Sequence, residues 1–430
     1  MSVKYRKKPF INRQLFFMSD QLNNDDDLTL KRSLSLPLLI FYGVGTILGL
    51  GIYVLLGKVA GEAGMLAPFA FLFAAILAAF TGLSYGELSS RIPKSAGEVN
   101  YVHRAFGKKY LSVVIGWLIV ISAIVSTATV LNGYVGYVQV FVQISDWLII
   151  TVFTLILGSI AVWGITESAI SIVIITIIEI AGILIVIIIA GDNLAALPER
   201  WTELVPSFNF TDWKAIMMGA FLAFFTFIGF QDMVNVAEEA KNPKRHMPRA
   251  IIISLSILTL FYIVIAVIAA LGLSAQELDQ SKAPLADILA EEGDGYDKII
   301  SAIGLVAIVN GVLVQIVMIA RVLFGMGEKK MAPELFKKLN PKTRTPIWST
   351  IFSTVVILAL ALSFNLESLA KATNYILISV FIMINLSLWV IKRRDPDPDS
   401  DQIKTFPLAV PVIGFFLCVS LLIFQIINSL

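Results

Sequence analysis

Cysteine is nearly absent. Cys418 is the one copy in 430 residues, which excludes a disulfide framework and any thiolate metal cluster. Histidine occurs only as His103 and His246, and two isolated imidazoles in basic stretches make no metal site. Charge is scarce, at 15% of residues, and nearly balanced: 33 Lys+Arg against 31 Asp+Glu give a formal net charge of +2. That balance offers no case for nucleic acid. Disorder is excluded as well, because so little charge accompanies so much apolar surface. What the chain has in excess is hydrocarbon. Apolar residues make up 57%, above the roughly 45–50% of soluble domains, so the chain reads as a polytopic membrane protein.

Long apolar runs without period-2 alternation select helices over a closed barrel. With about 20 residues needed per crossing, eleven segments qualify, at 37–59, 66–88, 111–140, 147–164, 168–190, 215–233, 250–273, 299–324, 347–364, 373–391 and 406–427. Residues 1–36 read as a soluble tail containing Asn23-Asn24-Asp25-Asp26-Asp27. Its early charges, Lys4 to Lys8, are not followed by an apolar stretch with a cleavage site, so no removable signal peptide is expected. With that tail inside, 26 of the 33 Lys and Arg residues fall in the tail and inner loops and six outside, while Arg321 lies in a span and can snorkel. This asymmetry predicts a cytoplasmic N-terminus. Eleven spans then place the C-terminus outside. Lys329-Lys330 and Lys392-Arg393-Arg394 serve that topology, with contact to anionic lipid as a second reading.

The first span contains Gly43-Val44-Gly45-Thr46-Ile47-Leu48-Gly49-Leu50-Gly51-Ile52-Tyr53. Each glycine inside a helix costs about 1 kcal/mol relative to alanine. Two readings stand. Gly45 and Gly49 form a small-xxx-small pair for close helix packing. Alternatively the helix breaks at Gly49-Leu50-Gly51, where free N–H groups at a half-helix N-terminus hold an anionic group such as a carboxylate. A dinucleotide fingerprint is excluded, since no strand or βαβ unit surrounds it. The sixth span is interrupted as well, in Phe224-Phe225-Thr226-Phe227-Ile228-Gly229-Phe230-Gln231-Asp232. Paired interruptions at corresponding places in two halves point to a transport site at the midplane. Unwound carbonyls around Phe225, Thr226 and Ile228 would there face an ammonium; the bland reading is an aromatic packing stripe.

Glu179 is the one ionisable group in the fifth span. An unpaired carboxylate in hydrocarbon is costly, so it faces the bundle or carries a proton, which suits a proton-coupling group; the plain alternative is a protonated side chain bonded to a neighbouring helix. Ser122, Ser126, Thr127, Thr129 and Asn132 on the third span either line a path or bond neighbouring helices. Asn310 and Gln315, five residues apart on the eighth span, lie about 140° apart around an ideal helix and do not share a face. Asp232, near the inner end of the sixth span, reads as a gate or loop contact.

Four blocks resemble the amino acid–polyamine–organocation (APC) superfamily of secondary transporters. They are Gly43-x-Gly45 with Leu48-Gly49-Leu50-Gly51-Ile52-Tyr53-Val54; Tyr85-Gly86-Glu87-Leu88 with Arg91-Ile92-Pro93-Lys94-Ser95-Ala96-Gly97; Phe227-Ile228-Gly229-Phe230 running through Glu238-Glu239-Ala240-Lys241-Asn242-Pro243 to Pro248-Arg249-Ala250-Ile251; and Ala320-Arg321-Val322-Leu323-Phe324-Gly325-Met326 with Thr345-Pro346. The blocks stand in family order across about residues 37–394. The resemblance implies an all-α, five-plus-five inverted-repeat transporter fold with discontinuous first and sixth helices. Its parts would be a cytoplasmic tail (1–36), a first repeat (37–191), a second repeat (192–394) and a peripheral eleventh helix (395–430). It also implies alternating access and transport of amino acids or related amines. Substrate contacts then fall on Ile47, Gly49, Leu50, Gly51, Phe225, Thr226 and Ile228, with Phe225, Thr226 and Asn310 setting side-chain tolerance.

Three departures stand out. Members usually carry twelve or more spans. Gln231 stands where close relatives often carry an acid. The segment Val309-Asn310-Gly311-Val312-Leu313-Val314-Gln315 lacks the neighbouring hydroxyls of sodium-coupled relatives. Some members also carry a lysine near the level of Glu179. The expectation is therefore a proton-coupled amino-acid symporter of the cell membrane, without cofactor or metal and not an enzyme, because no nucleophile with a base, paired catalytic acids or metal ligands falls within the spans. An amine or polyamine exchanger or exporter and a non-transporting amino-acid sensor are the alternatives.

Overall fold

The computed structural model describes residues 32–49, 51–94, 97–164, 169–293, 295–341, 343–396 and 403–429. Most of the expected tail, 1–31, and Leu50 lie outside the described residues. Every one of the eleven expected segments falls on a helix. Helices α1 (Leu36–Leu48) and α2 (Ile52–Ala63) divide the first, and α3 (Ala67–Arg91) forms the second. The inner connection carries α4 (Gly97–Phe106), followed by α5 (Lys109–Gln139), α6 (Asp146–Trp163) and α7 (Ala169–Ile189). Short α8 (Leu197–Leu204) precedes α9 (Phe210–Ala223), which passes into 3-10 turns at Phe224–Phe227 and Phe230–Glu239. Then come α10 (Pro243–Gly272), two short helices α11 (Ala275–Gln280) and α12 (Pro284–Ala290), α13 (Tyr296–Glu328), α14 (Ile347–Ser363), α15 (Leu366–Arg394) and α16 (Ala409–Ser429). No strand occurs among the described residues, where an isolated bridge between Leu34 and Ala240 is the extended pairing.

Nine helices among the described residues are long and apolar enough to cross a membrane, with Leu36–Leu48 and Ile347–Ser363 as shorter apolar helices. The run Ile52–Arg91 is not one rod, because Gly64 at φ 57° is incompatible with helix and separates α2 from α3. Exposed large side chains such as Val152, Leu155, Ile156, Ile174 and Ile188 give α6 and α7 an apolar outer surface, as expected of a chain whose solvent there is lipid. The inside is held by close contact over small residues. Ala63 and Ala70 receive Gly219 of α9, and Pro248 of α10 packs on Gly86 of α3.

Polar groups inside the bundle are paired across helices. Ser84 donates to Asn385 Oδ1 at 2.7 Å, and the Asn385 amide donates to Thr81 at 3.1 Å, joining α3 to α15. At the end of α3, Glu87 is fully buried and accepts Lys392 Nζ at 2.8 Å, Arg91 Nε at 2.9 Å and the Phe406 N–H at 2.9 Å. This carboxylate therefore ties α3, α15 and the segment leading into α16. Breaking a buried pair by deleting one partner costs about 3–5 kcal/mol, since the remaining charge is stranded. Glu87→Ala is expected to lower thermal stability by an amount of that order in detergent melting curves, and an unchanged melting temperature would reduce the cluster to a solvated surface pair.

Candidate functional site

The first helix does break where its glycines predict. Helix α1 ends at Leu48, the Gly49 N–H reaches back to Gly45 O at 3.1 Å, and α2 restarts at Ile52 with the Gly51 carbonyl accepting the N–H groups of Val54 and Leu55 at 3.1 Å. The N–H groups of Ile52 and Tyr53, which open α2, have no carbonyl of their own helix to meet. The second break is sharper. After the 3-10 turn Phe224–Phe227, Ile228 is extended and Gly229 stands at φ 124°, a conformation that L side chains rarely adopt. The Gln231 side chain then accepts the Gly229 N–H at 3.0 Å.

The two breaks lie against each other through their backbones. A Cβ placed on Gly51 would sit 2.5 Å from Thr226 Cα and 2.7 Å from its carbonyl oxygen; one placed on Gly229 would sit 2.5 Å from Thr46 O. Both glycines are thus required by close approach. The packing pair read from sequence, Gly45 and Gly49, faces α7 instead, at Thr176 and Glu179, so close packing and the paired breaks rest on different glycines. Ile47, Gly49, Gly51, Phe225, Thr226 and Ile228 are all buried at the breaks.

Some of the expected acceptors already have partners. Phe225 O accepts the Ile228 N–H at 3.0 Å, and Thr226 O accepts the Tyr262 hydroxyl at 3.1 Å, leaving one lone pair on each carbonyl. Tyr262 belongs to a set of buried phenols that sequence reasoning missed. Tyr137 donates to Tyr53 O at 2.7 Å and Tyr53 donates to Glu179 O at 3.2 Å. Of these, only Tyr53 stood inside a recognisable motif.

Glu179 of α7 is fully buried, and neither carboxyl oxygen has a hydrogen-bond partner among the described residues. It points at the first break: a Cβ on Gly49 would lie 3.2 Å from Glu179 Oε1 and 3.4 Å from Ala307 O of α13. Asn310 lies one turn beyond Ala307, half-buried, and among the described residues no hydrogen bond joins it to either break. Gln315 is instead the buried amide of α13, and its Nε2 donates to Asp232 Oδ2 at 3.3 Å. Asp232 is accordingly an inward-facing group just past the second break rather than a loop contact. The hydroxyls of Ser122 and Ser126 donate to carbonyls of their own helix, at Ile119 O and Ala123 O.

On the side of the breaks where α4 lies, a cavity of about 20 Å³ is lined by Tyr85, Glu98, Ser122, Ile228, Asp232 and Gln315, among others. Burial pushes the Glu98 carboxyl up to about 8, with the nearby Asp232 adding to the rise. Tyr85 donates to Glu98 Oε1 at 3.5 Å. No group of three or more His, Cys, Asp or Glu side chains suited to a metal occurs among the described residues.

Comparison with known proteins follows the same residues. A family model described as amino acid permease matches residues 34–429. The branched-chain amino acid permease BcaP of Bacillus subtilis is 27% identical, covering 92% of this chain and 88% of the relative. The methylthioribose transporter of the same organism is 27% identical over 97% of this chain and 92% of the relative. Cationic amino acid transporter 4 of Mus musculus is 25% identical over 89% of this chain and 63% of its own length.

Proposed function

The chain belongs to the amino acid permease family, and on that premise we propose that it moves amino acids across the cell membrane as a secondary transporter, coupled to protons, by alternating access. The observation that carries this reading is the backbone contact of Gly51 with Thr226, which joins two glycine-broken helices at one buried point. Half-helix ends and unwound carbonyls at such a point offer complementary partial charges to a zwitterion. The substrate carboxylate would take N–H groups at the first break, those of Gly49 and Gly51 exchanging their present bonds to Gly45 O and Leu48 O for it, and the ammonium would take the remaining lone pairs at Phe225, Thr226 and Ile228. In this reading, repeats 37–191 and 192–394 rock about the paired breaks to expose the point on alternate sides, with the N-terminus cytoplasmic as the basic residues indicate. Glu179, aimed at Gly49, takes and releases the coupling proton.

Uptake into proteoliposomes tests this directly, with a panel of neutral and basic amino acids, methylthioribose and a polyamine, under imposed proton or sodium gradients. Accumulation of an amino acid driven by an inward proton gradient and indifferent to sodium is the expected result. Binding without accumulation would make the protein a sensor, and counterflow of amines alone would make it an amine exchanger.

A further inference from the structure

The small cavity adjoins the second break at Ile228, but its acidic wall has no part in holding the substrate. Glu98 comes to it from α4, Asp232 from the 3-10 turn after Gly229, and Gln315 from α13, and all three side chains are more than nine-tenths buried. The lining residues include no Lys, Arg or His. The partners of the two carboxyls are neutral: the Tyr85 hydroxyl at 3.5 Å and a backbone N–H of α4 on Glu98, and the Gln315 amide at 3.3 Å and the Gln231 amide on Asp232. Gln315 spends its Nε2 on Asp232, so its Oε1 is left buried with no donor among the described residues. Turning the amide over would set that oxygen against a carboxylate, so the orientation is fixed by charge. Two acids and one unsatisfied amide oxygen thus converge on a space the size of roughly one water molecule. A water would satisfy the amide but give the two buried acids no counter-charge, so without a cation they avoid the burial penalty only by holding protons.

We propose that Glu98, Asp232 and Gln315 form a binding site for one small monovalent cation, an ammonium group or a bare alkali ion, next to the second break at Ile228 and distinct from the Gly51–Thr226 contact and from Glu179. Its three acceptor groups match the three N–H bonds of a primary ammonium, and the same oxygens, with the Ser122 and Tyr85 hydroxyls, suit a hard alkali ion. A space near the size of one water favours an ammonium head or a bare ion over a hydrated ion or a quaternary ammonium. Because the site joins α4, the second half of the broken sixth span and α13, an occupant holds those three elements together.

The test is thermal unfolding of the purified full-length protein in detergent at neutral pH, titrated with sodium chloride, methylammonium chloride or choline chloride at matched ionic strength. Sodium or methylammonium, but not choline, is expected to raise the melting temperature, and whichever acts identifies the source of the charge. Glu98→Gln and Asp232→Asn are each expected to weaken that response by about tenfold or more in half-saturating concentration. Gln315→Met, which keeps shape and loses the acceptor, weakens it less. The acid-to-amide variants relieve like-charge repulsion, so their melting temperatures without added cation should equal or exceed that of the wild type, which reports folding in the same scan. No response to either small cation, an equal response to choline, or an undiminished response in both acid variants would overturn the site.

Discussion

Gly51→Ala is expected to cut the initial rate of amino-acid uptake by about 10- to 100-fold while leaving membrane insertion intact. One methyl would lie 2.5 Å from Thr226 Cα and 2.7 Å from Thr226 O, well inside the roughly 3.5–4.0 Å of ordinary carbon contact. The obstacle is backbone on both sides, so no rotamer change relieves it. The breaks must move apart, and overpacking of this kind costs about 1–3 kcal/mol, which is one to two orders of magnitude in a rate or affinity that needs both breaks together. Gly51→Leu should abolish uptake. Gly191→Ala is the matched control, because a Cβ there meets nothing within 4 Å. Normal uptake by Gly51→Ala, measured per inserted molecule in proteoliposomes, would remove the paired breaks from the transport site.

The second large effect is expected at Glu179. Glu179→Gln should abolish gradient-driven accumulation while preserving exchange of substrate for substrate. A difference of one pH unit can sustain about a tenfold accumulation of a proton-coupled substrate, and the variant should equilibrate near onefold. The amide has the same shape, and the Tyr53 hydroxyl bonds the Glu179 backbone carbonyl, so that link to α2 survives the substitution. What is lost is a carboxyl with no partner among the described residues, facing Gly49 in a fully buried place. Such a group tolerates charge only when water reaches it, as it would when one side of the site opens. Unchanged dependence on the proton gradient would assign Glu179 to packing between α7 and the first break.

The first break, the second break and Glu179 could be found in the chain because each interrupts a monotonous pattern. Glycines at 49, 51 and 229 are poor helix formers, and one acid stands alone in an apolar span, so local chemistry marks them without any knowledge of their neighbours. Asn310 shows the limit of that approach. Asn310 and Gln315 read as equally polar interruptions of one span, and only the rotation of α13 against the second break decides that Gln315 meets Asp232 while Asn310 stays half-buried. Glu98 sits in a stretch that reads as an ordinary inner loop, and nothing local distinguishes it from solvated acids such as Glu291. Its place in the cavity comes from α4 folding back against α5 and α15. Tyr137 and Tyr262 were likewise silent, since a phenol in an apolar helix is unremarkable until its partner carbonyl is known.

What the sequence determined by itself is the solvent and the grain of the fold: helices in lipid, their places along the chain, where two of them fail, and the family to which the four motif blocks belong. Those properties follow from local sums, because hydropathy, helix propensity and the bias of basic residues are each fixed within about 20 residues. Tertiary structure alone decided that the two failures touch, that Glu179 faces Gly49, and that Glu98, Asp232 and Gln315 share one cavity. Each of these joins residues from distant parts of the chain, Gly51 to Thr226 or Glu98 to Gln315. Such meetings depend on how whole helices rotate and cross, which no local property of the chain encodes.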